Sequence, residues 1–160
     1  MKKLFITFAV FVVLALAVEV AVLITGIAVK WDSFANGRPI AVIAHAHLMA
    51  LGALVFLILT LLEKSFGITS HKLFKPFYVI YLTGVGLTAF VMIFRGFTQL
   101  AGAALIKPVS DAGYAIGHTL TFAALFILIK ILYDKIVCCK KCTAEIPVDK
   151  KEAETPSSEA

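Results

Sequence analysis

Residues 40–62 read IAVIAHAHLMALGALVFLILTLL, a run of 23 positions with no Asp, Glu, Lys or Arg, in which only His45, His47 and Thr60 are polar. A helix needs about 20 such residues to cross a hydrocarbon layer roughly 30 Å thick. The run far exceeds the ~10 residues of a barrel strand, and its apolar positions surround the helix axis instead of lining one face. It therefore predicts a transmembrane helix that carries two histidines into an apolar layer.

Three further apolar stretches share this character, at about Leu4–Val29, Phe77–Phe94 and Tyr114–Tyr133. Across its 160 residues the chain is 61% hydrophobic and 16% charged, where soluble domains run near 45–50% and about 25%. That balance excludes a soluble enzyme, a nucleic-acid binder and a disulfide scaffold. Short connections make neighbouring helices antiparallel, so the expected fold class is an all-α membrane protein built as an up-down four-helix transmembrane bundle. Residues 1–137 form this domain and residues 138–160 a separate tail. Gly84, Gly86, Gly113 and Gly117 are expected to let backbones approach closely. Gly84-x-Gly86 is no nucleotide fingerprint, because it lies inside an apolar helix and not at a strand-to-helix turn.

The net charge of +5 divides unevenly. Residues 1–142 hold 13 basic and 5 acidic side chains, for +8, whereas residues 143–160 hold 2 and 5, for −3. Basic residues beside apolar spans fit membrane insertion and anionic headgroups, not nucleic acid. The acidic tail Thr143–Ala160 has no apolar periodicity and is expected to be disordered. Lys2, Lys3, Lys64, Lys72, Lys75, Lys130, Lys135, Lys140 and Lys141 fall on one side of the bundle, against Lys30, Arg38, Arg95 and Lys107 on the other. Nine against four places both termini and the 63–76 loop in the cytoplasm, and the protein in the cytoplasmic (inner) membrane. Lys2-Lys3, the apolar stretch after it and Ala15-Leu16-Ala17 also fit a cleaved signal segment. The apolar run continues to Val29, longer than such a segment needs, so a retained first helix is expected.

The second and fourth spans align without gaps at an offset of 71 residues. His47, Ala53, Leu54, Leu57 and Lys64 have identical partners in His118, Ala124, Leu125, Leu128 and Lys135, and Glu63 matches Asp134. Apolar matches are cheap in membrane helices, so the shared histidine and the acid-lysine end carry the argument for a duplicated hairpin. Two such helices of like direction would hold His47 and His118 at one depth, with Glu19 and His45 in the same outer layer. Ionisable residues at such depth mark a site unless they merely bond helix to helix.

His45 and His47 stand about 200° apart on a regular helix, so only one faces the bundle interior, and the repeat nominates His47. Paired with His118 it offers two opposed imidazoles for the axial positions of a b-type haem. Without a Cys-x-x-Cys-His, covalent attachment is excluded. Arg95, at the outer end of the third span, is placed to meet haem propionates or a lipid phosphate. A metal site using His47, His118 and Glu19 is the alternative, as is a proton or metal path through an oligomer in which Glu19 titrates. The third reading is a non-catalytic module whose histidines pack the bundle or assist a membrane-complex or redox partner.

The segments His45-Ala46-His47-Leu48-Met49-Ala50-Leu51-Gly52, Phe94-Arg95-Gly96-Phe97-Thr98-Gln99 and Gly117-His118 occur in that order. Together they resemble an uncharacterised bacterial membrane family, domain-of-unknown-function family 2871, over most of residues 1–137. The resemblance implies a four-helix membrane protein and supplies no activity. His-x-His-Leu-x-x-Leu-Gly is also similar to haem-ligating helices of haem–copper oxidase catalytic subunits, which would make both His45 and His47 haem-ligand candidates. The further helices and copper-ligating histidines of such a subunit are missing, so oxygen reduction by this chain alone, and enzyme activity on its own, are not expected. Cys138, Cys139 and Cys142 follow the last span on the cytoplasmic side. There they are expected to be incidental thiols, with metal binding, redox chemistry or acylation as the alternatives.

Overall fold

The computed structural model describes residues 1–32, 39–102 and 107–138, without the side chains of residues 107, 108 and 138. Cys139, Cys142, the acidic tail, most of the 30–39 loop and the centre of the 96–111 connection lie outside the described residues. Four long helices run through the chain: α1 (Lys2–Ala28), α2 (Ile40–Phe66), α3 (Phe74–Leu100) and α4 (Lys107–Tyr133). A π-helical turn, Asp134–Cys138, continues the last of them. Each is long and apolar enough to cross a membrane, and no strand occurs among the described residues. The molecule is a multi-pass helical membrane protein, its outward side chains (Val13, Phe90, Phe122, Phe126 and Ile129 among them) offered to lipid.

The helices overrun the apolar spans because their polar ends remain helical at the interface. Helix α4 starts at Lys107 and not beside Tyr114. Pro108 stands in its first turn, where a missing N–H costs nothing. Ser110 and Asp111 lie inside this helix, about one turn from its start, and face Arg95. Helix α1 runs unbroken through Ala15-Leu16-Ala17 and buries Phe11, Ala15, Val18 and Val22, as an integral member of the bundle does.

Gly67 ends α2 in the left-handed conformation (φ 58°), which costs a residue without Cβ little. The Glu63 carboxylate then accepts the Thr69 N–H at 2.8 Å and the Thr69 hydroxyl, fixing the turn Ile68–Ser70. His71, in the loop after α2, is only 14% exposed. Its Nδ1 accepts the Leu73 N–H at 3.2 Å and its Nε2 faces Asp134 at 3.4 Å. Lys135 donates to Ser70 Oγ at 2.7 Å. The acid-lysine ends of the repeat thus serve the same loop, one by shaping it and the other by tying it to the end of α4. Thr69 and Phe74 also share a cavity wall with Met1 and Lys3, so both ends of the described chain lie on the side of this loop.

Packing follows chain order: α1 lies along the whole of α2, the first half of α2 on α3, and α3 extensively on α4, while α1 meets α3 only lightly. Small residues set the closest crossings. A Cβ on Gly84 would stand 2.6 Å from Thr121 Oγ1, and one on Gly117 would stand 2.3 Å from Thr88 Oγ1. Thr88 and Thr121 return their hydroxyls to the Gly84 and Gly117 carbonyls one turn back, at 3.0 and 2.9 Å. The seam between α3 and α4 is therefore a pair of Gly-x-x-x-Thr steps pressed together, with no unpaired hydroxyl. Gly113 abuts the Val91 side chain, but Gly86, expected at a close approach, faces open space. Gly96, which abuts the Ala41 backbone, and Gly52, which lies under the Phe11 ring, make the approaches that the sequence pattern did not reveal.

Beneath them lies an aromatic core in which Phe56, Phe77 and Tyr81 are fully buried. Phe56 stacks on Phe11 at 5.6 Å and meets the edge of Tyr81 at 5.9 Å. Immediately after His47, α2 widens into a π-helical stretch, Leu48–Leu54. The wider turn shifts the backbone hydrogen bonds, and the Leu51 carbonyl accepts the Tyr81 hydroxyl at 2.7 Å. Tyr81→Phe leaves that carbonyl without its side-chain donor in a dry core. It is expected to lower stability by about 1–2 kcal/mol in a detergent melting experiment. The matching residues 119–125 of α4 are regular α-helix, so the duplication holds for the histidines and not for the turn that follows them.

Candidate two-histidine site

Helix α2 sends its two histidines to opposite neighbours. His45 faces α1 and His47 faces α4, as a separation of about 200° on a regular helix requires. His47 Nδ1 lies 3.1 Å from the Ile43 carbonyl, and His118 Nδ1 lies 2.8 Å from the Tyr114 carbonyl. Each partner is the carbonyl four residues back, and Ile43 and Tyr114 are themselves related by the offset of 71. A carbonyl can only accept, so Nδ1 carries the proton on both rings and the lone pair of the neutral imidazole sits on Nε2. This is the way a metal-binding histidine is held, one nitrogen anchored to backbone and the other free.

The two rings meet with centroids 6.4 Å apart and planes at 79°. A metal-bound imidazole nitrogen lies about 2.0–2.1 Å from the ion, and its ring centre stands a further ~1.1 Å out. Two rings on opposite sides of one ion therefore have centres ~6.4 Å apart, whereas two at a tetrahedral angle stand near ~5 Å. The observed centroid spacing equals that of the opposed arrangement, and the rings meet edge to face. Helix α4 rests on α3 with little direct packing against α2, so the two imidazoles meet across the space between α2 and α4.

Glu19 does not join them. Its Oε2 accepts from His45 Nδ1 at 2.7 Å, and the same N–H is shared with the Val42 carbonyl at 2.6 Å. Among the described residues no three His, Cys, Asp or Glu side chains gather to hold a metal. The set of His47, His118 and Glu19 expected as metal ligands is thus not assembled, because α1 and α4 lie on different faces of α2. The four ionisable groups form two pairs instead of one relay. The depth expectation does agree with the helix lengths. From the midpoints of their membrane-length spans, the last taken as Val109–Val137, Glu19, His118 and His47 lie about 6, 7.5 and 9 Å toward the outer end.

Arg95 is committed within the chain. Its Nη1 donates to Ser110 Oγ at 3.2 Å and to Asp111 Oδ1 at 3.4 Å, and the guanidinium lies 5.9 Å from the centre of the Tyr114 ring. It joins the end of α3 to the first turns of α4, one turn above His118, so its charge is largely balanced before any propionate or phosphate arrives. Tyr114 itself escaped the sequence reading. Its hydroxyl is buried without a hydrogen-bond partner among the described residues, a position that costs free energy in an empty fold. The only trace in the sequence is that an aromatic phenol stands where the repeat has Ile43. Tyr114→Phe is accordingly expected to leave the melting temperature unchanged or raise it, the reverse of Tyr81→Phe.

Four membrane-length helices define the class, a small polytopic membrane protein, and two of them bring the His47 and His118 rings together. A family model described as protein of unknown function (DUF2871) matches residues 1–135, which include all four helices and every residue of the site, and the chain belongs to that family. No curated protein and no solved structure matches the chain.

Proposed function

We propose that this protein binds one b-type haem between His47 and His118 in the cytoplasmic membrane and serves electron transfer or haem handling. The observation that carries the reading is the pair of imidazoles with ring centres 6.4 Å apart, each with Nδ1 anchored on its own helix. Haem supplies a one-electron iron centre when so held. The chain's own contribution is to orient two nitrogen ligands, half-buried between α2 and α4, by tying each Nδ1 to its own helix. His45, engaged with Glu19, stays outside the ligand pair in this account. Arg95 acts by holding α3 to the first turns of α4 instead of binding propionate directly. The excess of lysine on the side of the 67–73 loop supports a cytoplasmic location for both ends.

The test is the reduced-minus-oxidised absorption spectrum of protein purified from haem-replete cells. The expected result is a b-type spectrum that survives His45→Ala and disappears in His47→Ala and in His118→Ala. A colourless wild-type preparation would overturn the reading.

A further inference from the structure

A second site lies between α1 and α3, away from the histidines. These two helices touch only lightly, and the space between them over Leu48 of α2 forms a cavity of about 510 Å³. Its wall is almost wholly apolar, from Val10, Leu14, Leu82, Phe90 and Ile93, and Gly86 leaves it open where a side chain would fill it. At the end nearest the loop, a second cavity of about 460 Å³ is rimmed by Lys2, Lys3 and Lys75, and Tyr78 lines both. Between the two, the Thr7 hydroxyl donates to the Lys3 carbonyl at 2.9 Å, so the Tyr78 hydroxyl donates to Thr7 across 2.8 Å. This bridge marks the step from a basic mouth to an apolar trough.

The three lysines stand at the helix ends, where headgroups lie, and no carboxylate of the described residues forms a salt bridge with them. Both cavities are within the size range of small-molecule sites. We propose that this groove binds one anionic phospholipid, its phosphate at Lys2, Lys3 and Lys75 and an acyl chain along the trough past Gly86. The order of the groove, charge at the interface and hydrocarbon beyond it, is the order of that molecule. A neutral amphiphile would leave the lysines unused, and a free phosphate would leave the trough empty. The proposal is independent of the histidine pair.

Native mass spectrometry of the full chain, released from nanodiscs of mixed phosphatidylglycerol and phosphatidylcholine, tests it. The expected result is one tightly retained phosphatidylglycerol per chain. Lys2→Gln, Lys3→Gln and Lys75→Gln should each weaken its retention roughly fivefold. Gly86→Phe, which meets no atom within 4 Å at Cβ, should displace the lipid while the helical circular dichroism is kept. Equal retention of the two lipids by the wild type, or anionic retention untouched by the triple lysine variant, would overturn the proposal. So would retention unchanged in a folded Gly86→Phe protein. Inorganic phosphate competing at millimolar concentration as well as the lipid does would show an anion site without a lipid trough, and would equally overturn it.

Discussion

Gly117→Leu is expected to separate α3 from α4 and to remove most of the stability of the purified protein. The Cβ alone would stand 2.3 Å from Thr88 Oγ1 and 3.1 Å from the Thr88 backbone nitrogen, so no rotamer change clears it. Gly84→Leu meets the mirror obstacle, Thr121 Oγ1 at 2.6 Å and the Thr121 nitrogen at 2.7 Å. Overpacking usually costs about 1–3 kcal/mol. These substitutions fall at or above the top of that range, because backbone stands behind each obstructing threonine hydroxyl and the seam is one of the two extensive helix contacts in the fold. Gly86→Leu, two residues from Gly84, is the control. Its Cβ meets nothing within 4 Å, and leucine gains about 0.8 kcal/mol of helix propensity over glycine. Detergent melting curves should therefore show Gly117→Leu and Gly84→Leu collapsed and Gly86→Leu at or above wild type. A Gly117→Leu protein melting with the wild type would contradict the seam.

The second large effect concerns the ligand pair. His118→Ala and His47→Ala should each abolish tight haem retention, and the double variant should be no worse than either single one. Two ligands gripping a single guest act as a unit, so removing either forfeits most of what both provide. The rings also contact each other and belong to neighbouring helices that scarcely pack otherwise, which makes them poor candidates for structural glue. Their loss should leave the melting temperature of the haem-free protein within a few degrees of wild type. A large fall in that temperature would favour the alternative in which the histidines serve only to join helices.

Much of this was legible in the chain before its fold was known, for specific reasons. Length and hydropathy dictate four spans because lipid allows the backbone only helix or closed barrel, and the runs are too long for barrel strands. The offset of 71 residues predicts that His47 and His118 are counterparts, and they do meet. Helical phase correctly separates His45 from His47. What failed depended on which helix neighbours which, and a uniformly apolar helix carries no moment to reveal that. Glu19 shares the depth of the histidine pair, yet its partner is His45, since depth says nothing about azimuth. Gly86 and Gly96 were indistinguishable as small residues, but one faces an open trough and the other the Ala41 backbone. His71 looked like a loop residue and proves to be a strut to Asp134, a contact made across the bundle's end. The π-helical turn after His47 has no signature in a run of leucines and alanines. Its stabilising partner, the Tyr81 hydroxyl, comes from another helix.

The central proposal is that His47 and His118 together would hold one haem. Titrating ferric haem into haem-free protein, with electron paramagnetic resonance as the readout, tests this most directly. Two imidazole ligands make the iron low-spin. The expected result is a low-spin signal that saturates at one haem per chain and turns high-spin or vanishes in His47→Ala and His118→Ala. Unsaturable binding, or a low-spin signal persisting when both histidines are replaced, would contradict it.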